Sequence, residues 1–507
     1  MGWIDSLIGW VSPKAACERE AWRLQLQELQ RGAGYDAADA GRLNAAWRAH
    51  NESADLTDRI SRDVIRARAR DLERNSDLEN AVLYAYKRNV IGRGFTLQPR
   101  TGDDELNEEI TSLWGEWTKR KNCDVTKTQS LNQMLRMAVT RKKVDGGILF
   151  LKCYTKGGLL PFKLQAIEVD ELYVSATEVK KTGDTLVNGI EYNQYGEAVG
   201  YWIQQYSVDG WTETDPKYYD AQRVIFYFSK KRPSQRREIS DMSQTLPRVR
   251  DVNEFMTAIS VKERIAACLS VFIKKMVPTT GIGRNGQTSV EPRRDYDGKT
   301  ITPGMIQELN AGDEVETVNP SAGASEATEF LRTQIRMIGA GQGLSYEATA
   351  RDLSGVTYSS ARQGAIEDDL AYQEDIEILQ ENVMDEIYET FLISAVLAGA
   401  LDIKDFWDRK EVYMHHTWVA SPKKWIDPKK EADANQIALK SGEKTFKQIS
   451  AEQGKSWKEQ INDMAEVAEY AMEKGVTIGT PASGGTTGST NGGEKKNEKD
   501  TNDDDSE

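Results

Sequence analysis

The sequence predicts an α+β fold that is mainly helical. Three observations carry that prediction. Stretches rich in Ala, Arg, Glu and Lys, with apolar residues every three or four positions, dominate both ends of the 507-residue chain. A block between about residues 147 and 228 is instead dense in Ile, Val, Phe, Tyr and Trp. Two further helical stretches flank residues 278–325, which are rich in Gly, Pro, Thr and Asn, so the pattern is a helical hairpin with an irregular tip.

The elements follow in order. MGWIDSLIGW at the start is short and amphipathic, carrying Trp3, Ile4, Leu7, Ile8 and Trp10, and it reads as a small helix that docks on a neighbour. It lacks the basic start and cleavage site of a signal peptide. Met1-Gly2 with Ser6 matches the loose N-myristoylation pattern, which is read here as chance. Residues 13–75 are helical in composition and end in RISRDVIRARARDLERN. SDLENAVLYAYKRNVIG (76–92) is an amphipathic helix, with Ser76 and Glu79 spaced as a capping box and Gly92 as its stop. GILFLKCY (147–154), KLQAIEVDELYV (163–174), NGIEYNQYGEAVGYWIQQY (188–206) and RVIFYF (223–228) are strands, with NQYGEA as a hairpin turn. Residues 1–240 therefore read as one α+β domain.

The stretch 248–276 reads as helical throughout, with Val252, Phe255, Met256, Ile259, Ala266, Leu269 and Ile273 on one face. Its length would be roughly 40 Å at 1.5 Å per residue. EVETVNP (314–320) is a short strand in the tip, and ATEFLRTQIRMIGAGQG (327–343) is the returning helix. RDLSGVTYSSARQGAIEDD (351–369) is polar and leads into a long helix over about 360–398. Ser360 and Gln363 fit a capping box there, and Ile366, Leu370, Ile376, Leu379, Val383, Ile387 and Phe391 mark the apolar face. Residues 425–442 and 456–475 are two more helices. From 481 onward the chain is Gly/Ser/Thr-rich and then acidic, with seven acidic and three basic residues, the composition of a disordered tail.

Composition excludes several chemistries. The net charge is −14, which argues against tight wrapping of DNA but not against a surface that DNA slides past. Cys17, Cys123, Cys153 and Cys268 are far apart, with neither metal spacing nor the look of a disulfide framework. His415 and His416 are adjacent, and adjacent side chains on a strand point to opposite faces. No apolar run reaches the length of a membrane span. There is no GxxxxGK[ST] phosphate loop, no HExxH and no GxSxG. A metal nuclease built on scattered carboxylates needs no tight spacing and stays open on the residues alone. The hairpin helices carry cations off their apolar stripes: Lys262, Arg264, Lys274 and Lys275 on one, Arg332 and Arg336 on the other. That pattern suits a hairpin packed beside copies of itself with one face along a channel.

At this point a resemblance enters. AVLYAYKRNVIGRGFTLQP (81–99), LQAIEVDEL (164–172), GIEYNQYGEAVGYWI (189–203), RVIFYFSKKRPSQRREISDMSQTLPRVRDVNEF (223–255), ITPGMIQELNAGDEVETVNP (301–320), GLSYEATARDLSGVTYSSARQGAIEDD (343–369) and WIDPKKEADANQIALKSGEKTFKQISAEQG (425–454) stand in one order. That order resembles the portal proteins of lambda-like tailed phages, from about residue 30 to about 475. One departure is plain. Where the family usually has Arg-Gly-Ile-Pro, this chain has Arg237-Glu238-Ile239-Ser240, so a turn that usually has glycine's freedom must be made differently.

The resemblance implies a portal fold of wing, stem, clip and crown that assembles as a ring, usually a dodecamer, in the virion at one capsid vertex. It implies an N-terminal arm (1–30), wing (31–240), first stem helix (241–276), clip (277–325), second stem helix (326–343), channel loop (344–359), long helix and wing return (360–424), crown (425–475) and tail (476–507). No enzymatic activity and no cofactor are expected. The implied partners are further copies of the chain, terminase, major capsid and scaffold proteins, head-completion proteins and double-stranded DNA bound without sequence preference. No membrane is implied, and assembly would take place in the bacterial host cytoplasm. Asp352, Ser354, Tyr358, Ser359 and Arg362 are then expected at the DNA path, with Lys262, Arg264, Arg332 and Arg336 along the stem. Arg284, Arg293, Arg294 and Lys299 are expected on the clip, facing terminase or an adaptor. The competing readings are a DNA-processing enzyme, such as a terminase or nuclease subunit, and a head–tail adaptor.

Overall fold

The computed structural model describes residues 51–267, 271–275, 313–317, 324–421, 428–454 and 457–476, with isolated positions before residue 51. Helix α1 (Ala54–Arg59) is capped by the Ser53 hydroxyl. Helix α2 (Arg62–Asn75) turns at Ser76 into α3 (Asp77–Tyr86), and Ser76 Oγ accepts from Glu79 N at 3.2 Å. α3 widens into a π turn (Lys87–Ile91) and stops at Gly92, whose φ is +52°. The expected cap and stop are both present, although the Glu79 carboxylate does not return to the cap. Strand β1 (Thr96–Pro99), α4 (Asp104–Trp117), α5 (Arg120–Cys123) and α6 (Leu131–Asp145) follow.

The strand block comes next: β2 (Gly147–Tyr154), β3 (Phe162–Ile167), β4 (Thr185–Val187), β5 (Ile190–Tyr192), β6 (Ala198–Ile203), β7 (Lys217–Asp220) and β8 (Val224–Phe228). They form two antiparallel sheets, β3-β2-β8 and β4-β5-β6-β7. Between them lies a core of Leu149, Leu151, Ile167, Val169, Leu172, Ile190, Tyr192, Tyr201, Ile203 and Val224. Each such side chain contributes about 1.5–3 kcal/mol of burial. The NQYGEA turn is where the sequence puts it, between β5 and β6, with Gly196 at φ +79°.

The hairpin differs from expectation at one end. Helix α7 (Leu246–Ala267) stops before the end of the predicted helix, and Val271–Lys275 is strand β9, antiparallel to β10 (Asp313–Thr317). The reading of 248–276 as helical throughout is therefore corrected. Its last residues, Val-Phe-Ile, favour a strand, and a partner strand 38 residues on lets them form one. The returning helix α8 (Ala324–Gly341) meets α7 through the rings of Phe255 and Phe330, 5.0 Å apart. Then come α9 (Tyr346–Ala350) and the long helix, made of α10 (Tyr358–Leu379), a π turn (Gln380–Met384) and α11 (Asp385–Leu397).

The chain ends with α12 (Lys410–Met414), β11 (His416–Val419), α13 (Pro428–Ser441), α14 (Phe446–Glu452) and α15 (Trp457–Glu473). By contacts it forms two compact units, one from residues 1–90 and 120–394, the other from 91–119 and 395–507. In the second unit β1 pairs antiparallel with β11, and Trp114 packs against Trp117 and Trp418 at 5.2 and 5.5 Å. His416 uses Nδ1 on the Met414 carbonyl, and no metal-binding cluster occurs among the described residues. Cys123 and Cys153 are free thiols. No helix among the described residues is long and apolar enough to cross a membrane.

Candidate channel segment and its mounting

The polar stretch that opens at Arg351 is held at both ends. At its N-terminal side α8 and α9 meet closely at Gly339, where a Cβ would lie 2.6 Å from Thr349 Oγ1 and 2.7 Å from the Leu344 carbonyl. Only glycine permits that approach. Gln342 at the end of α8 donates to Thr245 Oγ1 (3.0 Å) and the Asp241 carbonyl (3.2 Å), while the Tyr86 hydroxyl donates to its carbonyl. Ser345 caps α9, and Asp368 of α10 accepts from both the Ser345 amide and hydroxyl. The two hairpin ends, α9 and α10 are thus tied by hydrogen bonds that are buried or nearly so.

The loop proper is short. Arg351 ends α9 in the left-handed region, φ +56° and ψ +30°. The Asp352 carboxylate accepts from Ser354 N at 2.9 Å, and Tyr346 Oη lies 3.5 Å from its other oxygen. Bonds from the Ser354 side chain and amide hold the Asp352 carboxyl below its usual range, and Arg332 adds to the effect. Arg336 lies over the Tyr346 ring at 5.5 Å. Thr357 caps α10, accepting from Ser360 N. The expected capping box at Ser360 and Gln363 is therefore corrected: Thr357 is the cap, and Gln363 bonds Glu367 instead. The stretch 344–359 is correspondingly less a loop than expected, since it contains α9 and the first residues of α10.

The residues predicted for the DNA path divide as follows. Ser354, Ser359 and Arg362 are exposed, Asp352 is half-buried, and Tyr358 opens α10. Arg332 and Arg336 are exposed on α8, Arg264 is exposed on α7 and donates to the Ser260 carbonyl, and Lys262 is half-buried. Arg332, Arg336, Tyr346 and Asp352 therefore come together. Arg284, Arg293, Arg294 and Lys299 lie outside the described residues, as does most of the tip.

Sequence reasoning missed the buried charges that brace this region. Lys142 Nζ sits 2.6 Å from Asp375 Oδ1 and 3.0 Å from Asp241 Oδ2, and Lys143 lies 3.1 Å from Asp375 and over the Tyr86 ring at 3.6 Å. Burial would raise the Asp241 pKa, but Lys142, Lys143 and Lys231 together pull it below its ordinary value. At the departure from the family pattern, Glu238 is fully buried and has no left-handed backbone. Its carboxylate accepts from Arg237 at 2.7 and 2.9 Å and from Arg66 at 3.2 Å, and its carbonyl accepts from Arg62 at 2.9 Å. Burial would lower the Arg237 pKa, but Glu238 holds it raised. Ser240 replaces the missing proline with bonds of its own, donating to the Lys143 carbonyl and accepting from Met242 N. Gly146 makes room for this turn, because a Cβ there would lie 2.5 Å from the Ile239 backbone.

The comparisons decide the identity. The family model of the phage portal protein, lambda family, matches residues 40–375, more than half of the chain. The chain belongs to that family. It is similar to the probable portal protein of Halomonas phage phiHAP-1, 25% identical over 449 residues and covering 84% of each chain. It is also similar to portal protein B of Escherichia phage lambda, 20% identical over 479 residues, which cover 86% of this chain and 89% of that one. Among solved structures, the neck of an empty gene transfer agent particle aligns with TM-score 0.43 at 13% identity, covering 76% of this chain and 93% of that one. This portal is thus a channel protein of the tailed-phage capsid, and its family is structural rather than enzymatic.

Proposed function

We propose that copies of this portal close into a ring at one capsid vertex and that residues 351–362 border its bore, where double-stranded DNA passes during packaging and again during ejection. The observation that carries this reading is the mounting of a short polar loop on the end of the helical hairpin, within a chain of the portal family. Its chemistry suits a sliding polyanion. Asp352, Ser354, Tyr358, Ser359 and Arg362 offer hydroxyls and few charges, whereas a dense cation ring would grip phosphates through many counterion-releasing contacts. Lys262, Arg264, Arg332 and Arg336 would stand along the stem wall. Terminase, and later the head-completion proteins, would dock on the clip near Arg284, Arg293, Arg294 and Lys299. Major capsid and scaffold proteins would surround the ring, which would assemble in the bacterial host cytoplasm.

The test is a packaging reaction with rings in which Ser354 and Tyr358 are both replaced by Ala. Intact rings with an altered rate of packaging or length of packaged DNA are expected. Packaging indistinguishable from wild type on intact rings would remove these residues from the DNA path.

A further inference from the structure

Two helices of the same unit each expose an apolar face that their own chain covers only in part. On α8 the buried side is formed by Ile338, with Leu331 and Ile335 half-buried beside it. Phe330 is nevertheless 46% exposed and Met337 50%. At 3.6 residues per turn these two share one face, about 120° from the buried side and about 130° from Arg332 and Arg336. The helix therefore has three faces: one buried in its own chain, one that carries the arginines, and one apolar face that Phe255 meets at Phe330 but that stays half exposed. On α10 the chain-facing side carries Asp368, Tyr372, Asp375, Ile376 and Leu379, all buried. Ile366 (50% exposed) and Leu370 (64% exposed) lie on nearly the opposite face, one turn apart. Their spacing alone places them in one stripe with Ile376 and Leu379, and the structure corrects that expectation. Asp368 and Asp375 take the inner face because Ser345 and Lys142 hold them there.

We propose that the Phe330–Met337 face of one copy packs against the Ile366–Leu370 face of the next. The occupant is a second copy for two reasons. A protein that encloses a channel by repetition must present two different, complementary surfaces, a head-to-tail contact that closes only when the rotation between copies is right. The charges beside the two ridges also match. Glu367, Glu374 and Glu377 flank Ile366 and Leu370, whereas Arg332 and Arg336 stand on the side of α8 next to Met337, Arg336 lying 3.7 Å from Glu329 of its own helix across an exposed, weak pair. A ridge of i, i+4 side chains laid against a ridge two turns long is an ordinary helix-to-helix contact. The contact also leaves the two arginines at the seam between neighbours, where they can meet both a carboxylate of the next copy and the bore.

The assignment rests on the ring reading, and the experiment separates the two. Met337→Glu and Leu370→Lys are made singly and together in the full-length chain, and ring formation is followed by light scattering and negative-stain imaging. Both positions are half exposed or more, so single variants should keep the wild-type melting temperature while losing the ring peak. The double variant should regain rings, because the new charges face each other across the contact. A disulfide between Met337→Cys and Leu370→Cys should link copies into ladders that end at the ring number. Single variants that close rings as wild type does, or cysteines that never link in intact rings, overturn the contact and leave the ring reading standing. Wild-type protein that forms no ring, alone or with its capsid partners, overturns the ring reading itself.

Discussion

The turn around Glu238 and the loop around Asp352 use the same residue types to opposite ends. At the turn, Arg62, Arg66, Arg237 and Glu238 are buried, and the carboxylate is matched on both oxygens. At the loop, Arg351, Ser354 and Arg362 are exposed, and Asp352 bonds only within its own few residues. A charge taken out of water must be satisfied by its own chain, which fixes geometry. A charge left in water stays available to something passing by. The difference teaches that burial, rather than residue identity, separates the frame of this portal from the surface it leaves to solvent, where the DNA path is proposed.

The largest expected effect breaks the first region. Glu238→Ala, or Glu238→Gly as the family usually has it, leaves Arg237 buried without its carboxylate, while Arg66 keeps Asp63 and Asp170. Removing one partner of a buried ion pair costs about 3–5 kcal/mol. A fall of that size in chemical denaturation is expected, together with loss of ring assembly at growth temperature. A change below about 1 kcal/mol would mean that Arg237 reaches water or another acid, and that the turn is not braced through Glu238.

Glu79 sharpens the comparison, because it is as buried as Glu238 but unmatched. It has no accessible surface, and neither carboxylate oxygen has a hydrogen-bond partner among the described residues. Burial, with Glu73 nearby, pushes its pKa up to about 8. The folded protein thus keeps a proton that the unfolded chain releases near 4.5. The native state binds more protons across that interval, so stability falls as pH rises from about 4.5 to about 8. Glu79→Gln should remove the part of the slope that comes from Glu79 and stabilise the protein by several kcal/mol above pH 8, while matching wild type near pH 4.5. Urea denaturation at several pH values reads this directly. Identical slopes for the two proteins would show that Glu79 is ionised or hydrated in the native state.

These contrasts also explain what could be read in the sequence. The strands of the 147–228 block, the Ser76 cap, the Gly92 stop and the NQYGEA turn follow from local chemistry, and all are present in the structure, except that the strand expected over 163–174 ends at Ile167 and gives way to a 3-10 turn at Val169–Glu171. The end of α7 was not legible, because Val271–Lys275 becomes a strand only through pairing with Asp313–Thr317, far along the chain. Nor was the inner face of α10. An apolar count favours Ile366 and Leu370, but Asp368 and Asp375 win that face through partners on other elements. The lysines at 142 and 143 look like a solvated helix end, and nothing local announces the aspartates that bury them. For the segment proposed to border the channel, its polarity and its place between two helices were visible. Its mounting through Gln342, Tyr86 and Ser345 depends on contacts that no spacing encodes.

The smallest effect concerns the loop itself and completes the comparison. Arg351 is an exposed residue in left-handed backbone, a conformation that costs an ordinary side chain about 1 kcal/mol and glycine almost nothing. If the loop's side chains serve a passing partner rather than the frame, Arg351→Gly loses no buried contact and relieves that strain. Part of the gain is returned, because glycine adds freedom to the unfolded chain. The net expectation is a stability equal to wild type or up to about 0.5 kcal/mol higher, read as a small upward shift in denaturation midpoint with an unchanged slope. A loss of 1 kcal/mol or more would place the Arg351 side chain in the frame beside Arg66 and Arg237. The line between frame and working surface would then fall further along the chain, at Ser354.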